Sequence, residues 1–106
     1  LGVLEAAKAM KKLIIWADSN GNHLIPGQVL TSLIKGVEIS VYETIQSVHE
    51  ERFTGGLKDY GLKNGGVEYI IDQNNRELFS DEILKKVKEF QEKIIAGDIV
   101  VPHERK

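Results

Sequence analysis

The chain has no cysteine, only two prolines, and one tryptophan and one methionine in 106 residues. Without thiols it can form no disulfide, offers no thiolate nucleophile and holds no cysteine-ligated zinc. No apolar run approaches the ~20 residues needed to span a bilayer. An excess of charge of one sign is also lacking: 14 basic against 16 acidic residues leave a formal net charge of -2. That balance supplies no electrostatic reason for a nucleic-acid or anionic-membrane partner. The pairs Lys11-Lys12 and Lys85-Lys86 are short and interleaved with glutamate, as solvated helix faces are. His23, His49 and His103 stand far apart without metal-ligand spacing, so neither a metal site nor a cofactor is expected. No signal peptide is visible. The chain opens on Leu1 rather than methionine, however, so we expect a fragment or a processed product and give that absence no weight. What remains is ordinary for a globular protein, 42% hydrophobic and 28% charged, with length for one domain and a modest core.

The most informative stretch is Leu13-Ile14-Ile15-Trp16-Ala17 running into Asp18-Ser19-Asn20-Gly21. An apolar run that breaks at a polar turn predicts a buried strand, with Trp16 in the core. A helical segment, Val3 to Lys12, precedes it, so the unit is a piece of an α/β sheet. Ligands of open parallel sheets collect outside the carboxyl ends of strands. A carboxylate beside a hydroxyl and an amide can there exchange hydrogen bonds with a ligand's hydroxyls. Two readings of Asp18 stand open: a ligand contact, or the cap of an Asx-turn.

Along the chain, Val3, Ala6, Ala7 and Met10 share one face of the first helix. Residues 18–27 are a loop rich in turn formers. Gln28 to Ile34 predicts a second strand, closed by Lys35-Gly36. Val37, Val41, Ile45 and Val48 then recur at helical spacing, with Glu38, Glu43, Glu50 and Glu51 on the wet side. Phe53 to Gly66 holds five of the ten glycines and predicts a short strand, Leu57–Leu62, between turns. Its glycine pair has neither the Walker nor the dinucleotide spacing of a phosphate loop. Val67 to Asp72 reads as a further strand. The last helix is capped by Ser80, buries Ile83, Val87, Phe90 and Ile94, and stops at Gly97. Asp98 to Pro102 follows as a short strand or tail.

Taken in order, four of these segments resemble the carboxyl-terminal third of the basic membrane protein family. They are Asp18-Ser19-Asn20 after an apolar strand, Val29 to Lys35, Tyr60-Gly61-Leu62-Lys63-Asn64-Gly65-Gly66-Val67, and Lys93 to Pro102. The family comprises substrate-binding lipoproteins of purine-nucleoside ABC importers. The resemblance implies an α/β fold, a fragment of the type I periplasmic-binding-protein fold with Rossmann-like three-layer lobes around a ligand cleft. It implies that residues 1–27 and 57–106 belong to the carboxyl lobe. Residues 28–56 would then supply a crossing strand and a helix of the amino lobe. Residue by residue, Asp18 matches a family aspartate that holds ribose hydroxyls, and Lys35 a lysine that reaches the sugar or pairs with that carboxylate. Without the resemblance, Lys35 reads equally as an exposed lysine at a strand end. Ser19 and Asn20 line the same turn, although the family more often has aspartate where Asn20 stands. Nothing here matches the aromatic residues that sandwich the purine.

The expected function is therefore nucleoside binding by part of an ABC-importer receptor, with a permease as partner through the full-length protein. The resemblance implies an extracytoplasmic, lipid-anchored setting, the anchor lying outside this chain. The alternative is a sensor or regulatory relative that keeps the pocket without transport. An enzyme finds little support, since no nucleophile with a base and no paired carboxylates stand together. A lone carboxyl third would leave the Val37–Val48 stripe uncovered. We therefore expect either the missing amino-terminal part or a homodimer with exchanged elements to cover it.

Overall fold

The computed structural model describes residues 2–102; Leu1 and residues 103–106, His103 among them, lie outside the described residues. Helix α1 (Gly2–Met10) ends where Lys11 turns into the left-handed region, φ 52°, and leads directly to strand β1 (Ile14–Asp18). Strand β2 (Val29–Lys35) runs parallel to β1, and β3 (Val67–Tyr69) runs antiparallel to the far end of β2. The result is a mixed three-stranded sheet in the order β1-β2-β3. Register places Trp16 beside Ser32 and Asp18 beside Ile34, after an irregularity between Ile14 and Ile15.

Helix α2 (Val37–His49) leaves β2 through Gly36, and α3 (Asp81–Ala96) closes the described chain. The cap residues of α3 are those the sequence predicts. Ser80 Oγ accepts the Ile83 N–H at 3.2 Å, and Gly97 takes the left-handed conformation at φ 88°. Helix α3 packs on a 3-10 turn at Leu62–Asn64, where Tyr69 donates its hydroxyl hydrogen to Gln91 Oε1 at 3.3 Å.

Several expectations are corrected. Leu57–Leu62 forms no strand; the segment is irregular and ends in the 3-10 turn. Gly61 within it has open space where a Cβ would stand, and the close approach comes after it, where a Cβ at Gly66 would lie 2.3 Å from the Tyr60 Cβ. Of the two forms expected for Asp98 to Pro102, strand or tail, the irregular tail is found. In α1 the buried residues are Leu4 and Ala7, while Val3 and Met10 are exposed. A short helix apolar on several sides leaves its inward face to be chosen by its neighbours. In α3 the half-buried stripe is Leu84, Val87, Gln91 and Ile94, and Ile83 and Phe90 lean outward.

Strand β1 is an edge rather than a buried strand, and Trp16 is half-buried rather than core. A strand apolar on both faces is covered only where elements pack on both, and among the described residues no helix packs extensively on β1. Helix α2 goes further: Val37, Val41, Ile45 and Val48 are each 51–65% exposed, and the one buried residue is Ser47. Its polar side meets its own chain and its apolar side faces outward. Among the described residues the buried apolar side chains are Leu4, Ala7 and Val29.

Candidate functional site

Asp18 is the last residue of β1 and adopts φ 78°, a left-handed conformation at a strand end. Few residues other than glycine occupy that region, although aspartate tolerates it better than most. The turn it opens folds back over the sheet. Gly21 lies so close to the Trp16 ring that a Cβ there would sit 2.5 Å from two indole carbons. Its N–H donates to Ser32 Oγ at 3.0 Å.

Lys35, at the end of the neighbouring parallel strand, brings Nζ to 2.6 Å from Asp18 Oδ1. The expected pair therefore forms, with both side chains more than half exposed. An exposed pair contributes at most about 1 kcal/mol to stability. What it does provide is an ammonium and a carboxylate held together at the carboxyl edge of a sheet, where hydroxyls can both donate and accept. Lys35 also lines a groove of about 250 Å³ with Gly36, Val37, Ser40, Tyr60, Gly66 and Val67. Burial, and then the neighbouring Glu43 carboxylate, push the Tyr60 hydroxyl up from its ordinary value.

Ser19 is exposed on the same turn. Asn20 is more committed: its Oδ1 accepts the Asn22 N–H at 3.0 Å and its Nδ2 donates to Asp72 Oδ2 at 3.1 Å. One amide hydrogen and one lone pair stay available to a ligand. Sequence reasoning missed Asp72, Asn22, Ser32 and Asn75, of which the last three are buried. Ser32 Oγ donates to Asn22 Oδ1 at 2.7 Å, and Asn75 Nδ2 reaches the carbonyls of Leu30 and Ile70 at 2.9 Å each. The asparagine-rich run Asp72-Gln73-Asn74-Asn75 is the signal that could have found them, because such residues build Asx-turns. The Asn20 amide, and then the Asn74 N–H, hold the Asp72 carboxyl below the ordinary carboxylate value. His23 lies in the loop between β1 and β2 and His49 at the end of α2, and among the described residues no cluster has the makings of a metal site.

The family model for ABC transporter substrate-binding proteins, PnrA-like, matches residues 1–105. The chain belongs to this Bmp family. Basic membrane protein C of Borreliella burgdorferi is 31% identical over 106 residues, covering 96% of this chain and 29% of that protein. The CD4+ T-cell-stimulating antigen of Listeria monocytogenes is 40% identical over 74 residues, or 69% of this chain and 20% of that one. The chain thus spans less than a third of the curated relatives it matches. An ABC transporter system solute-binding protein from Aeropyrum pernix K1 shares the fold. Its TM-score is 0.70 at 23% identity, over 98% of this chain and 37% of that structure. The mixed α/β architecture is therefore part of a solute-binding-protein fold, and the family is one of substrate-binding proteins. No helix among the described residues is long and apolar enough to cross a membrane.

Proposed function

We propose that this Bmp-family chain forms one wall of a cleft that captures a purine nucleoside for an ABC importer. The reading rests first on the Asp18–Lys35 pair, which stands at the carboxyl edge of two parallel strands with Asp18 in a left-handed conformation. Asp18 accepts from the two ribose hydroxyls, Lys35 donates to a sugar oxygen, and Ser19 and the remaining Asn20 groups complete the rim. The chemistry is recognition without bond breaking. Residues 28–56 carry the chain across to a second lobe, whose remaining elements supply the other wall and the contacts to the base. The protein works outside the cytoplasm on a lipid anchor and delivers its ligand to a permease.

The test is Asp18→Ala in the whole protein that contains this chain, titrated by calorimetry with inosine, guanosine and the corresponding free bases. Loss of two hydrogen bonds to a carboxylate costs on the order of 2–4 kcal/mol. We expect a matching loss of ribonucleoside affinity, of about 30-fold or more, with free bases little affected. An unchanged dissociation constant for inosine and guanosine sinks the ribose assignment.

A further inference from the structure

Two Asx-turns, one after β1 and one after β3, face each other across β2. In the first, Asn20 Oδ1 accepts the Asn22 N–H; in the second, Asp72 Oδ1 accepts the Asn74 N–H at 2.8 Å. One bond joins them, from Asn20 Nδ2 to Asp72 Oδ2, spanning 52 positions of sequence. Beneath it lies a floor of polar side chains, Asn22 and Ser32 at 0% exposure and Asn75 at 1%. Every buried polar side-chain atom among the described residues has a partner. The Asp72 N–H itself donates to Asn75 Oδ1 at 2.8 Å, so the second turn is anchored to the floor.

We propose that Asp72 is a positioning residue, which through Asn20 holds the turn that presents Asp18. The inference rests on the nucleoside reading for its ligand, and on the hydrogen-bond geometry alone for the latch. A strained backbone persists only where the surroundings over-determine it, and in this turn Asp18 is the non-glycine residue at positive φ. Its turn is held from one side by Ser32, through the Gly21 N–H, and from the other by Asp72, through Asn20. Asp72 is suited to the task because its two oxygens accept different donors, one from each turn. An amide at position 72 keeps an oxygen for the Asn74 N–H but turns its NH₂ toward the Asn20 NH₂, donor against donor. Exchanging the two residues restores the pattern. With aspartate at 20 and asparagine at 72, the carboxylate accepts the Asn22 N–H and the amide, and the amide oxygen still accepts the Asn74 N–H.

The experiment compares the whole protein containing this chain with its D72N and N20D/D72N variants. It follows amide hydrogen exchange at Gly21 and Asn22 and calorimetric affinity for inosine. D72N is expected to speed exchange at both amides and to weaken inosine about tenfold, the change that one lost hydrogen bond carries. The double variant is expected to bring exchange back toward wild type and to recover inosine affinity only in part, because aspartate at 20 lacks the amide hydrogen that Asn20 offers the rim. Exchange as fast as in D72N overturns the latch. Unchanged exchange in D72N overturns the latch. Faster exchange with unchanged affinity overturns the positioning role. Wild-type protein that binds neither inosine nor guanosine defeats the nucleoside reading instead, and the exchange result with its rescue then decides the latch by itself. If D72N does not fold, N20A breaks the same bond while leaving Asp72 in place. It also removes the oxygen that the Asn22 N–H meets, so Gly21 is the amide followed, and wild-type exchange there overturns the proposal.

Discussion

Asp18 and Gly21 show how much one turn asks of its residues. Asp18 carries a backbone conformation that most side chains avoid, and Gly21 is small because the Trp16 ring occupies the space above it. Gly21→Ala therefore forces a methyl group into the indole. We expect a destabilisation of about 1–3 kcal/mol, as overpacking of a closed site costs. Trp16 is the only tryptophan of the chain, so its fluorescence reports the displacement directly alongside a thermal melt. A G21A protein with the wild-type emission maximum and melting temperature contradicts the packing described for this turn. Asp18 was legible in the sequence because an apolar run that breaks at Asp-Ser-Asn marks the polar end of a strand. Asp72 was not, because its partner lies 52 positions away and no local pattern encodes that contact.

At the scale of elements, local chemistry and tertiary packing divided the work unevenly. The ends of α3 follow from Ser80 and Gly97, whose effects act within a turn of the chain. Replacing Ser80 by alanine removes the oxygen that accepts the Ile83 N–H. It should cost about 1 kcal/mol in urea unfolding followed by helical circular dichroism. An unchanged midpoint means that the cap contributes nothing to this helix. The face a helix buries is a different matter. The 3–4 spacing of Val37, Val41, Ile45 and Val48 marks an amphipathic helix, and α2 is one. Yet its apolar stripe points away from the chain that carries it, because Ser47 and its polar neighbours meet the segment leading to Tyr60. The strand expected at Leu57–Leu62 failed for a related reason. Gly66, just beyond it, is needed for close approach to Tyr60, and composition alone does not separate that use from a turn between strands.

Taken as a whole molecule, the chain exposes more surface than it can leave bare. Its accessible area is 8423 Å², against about 6,000 Å² for a folded monomer of its 11.9 kDa mass. Its radius of gyration is 16.9 Å, against about 13 Å for a compact chain of this length. An excess of roughly 2,400 Å² per chain is the scale of an obligate interface. Here it includes the α2 stripe and the free edge of β1, with Leu13 and Ile15 exposed. The rest of a solute-binding-protein fold would cover these faces. The chain by itself is expected to cover them with a second copy, so sedimentation at micromolar concentration should give a mass above 11.9 kDa. V41E/I45E, which places carboxylates on the stripe, should return it to monomer. A compact wild-type monomer with the stripe protected from labelling would falsify this role for α2.

The sequence by itself determined the three helices and the three strands of this protein, the expected strand at Leu57–Leu62 apart, and it marked Asp18 as the polar end of a strand. Hydrophobic period, caps and turn residues act over a few positions and are written where they act. The resemblance carried in four short segments located the family for the same reason, since each segment is a local pattern at a set spacing. Only the tertiary structure decided which faces those elements bury, that Asp18 and Lys35 meet, and that Asn20 is tied to Asp72. Each of these depends on two stretches of chain brought together by the sheet, and an isolated helix or strand holds no record of what will be packed against it.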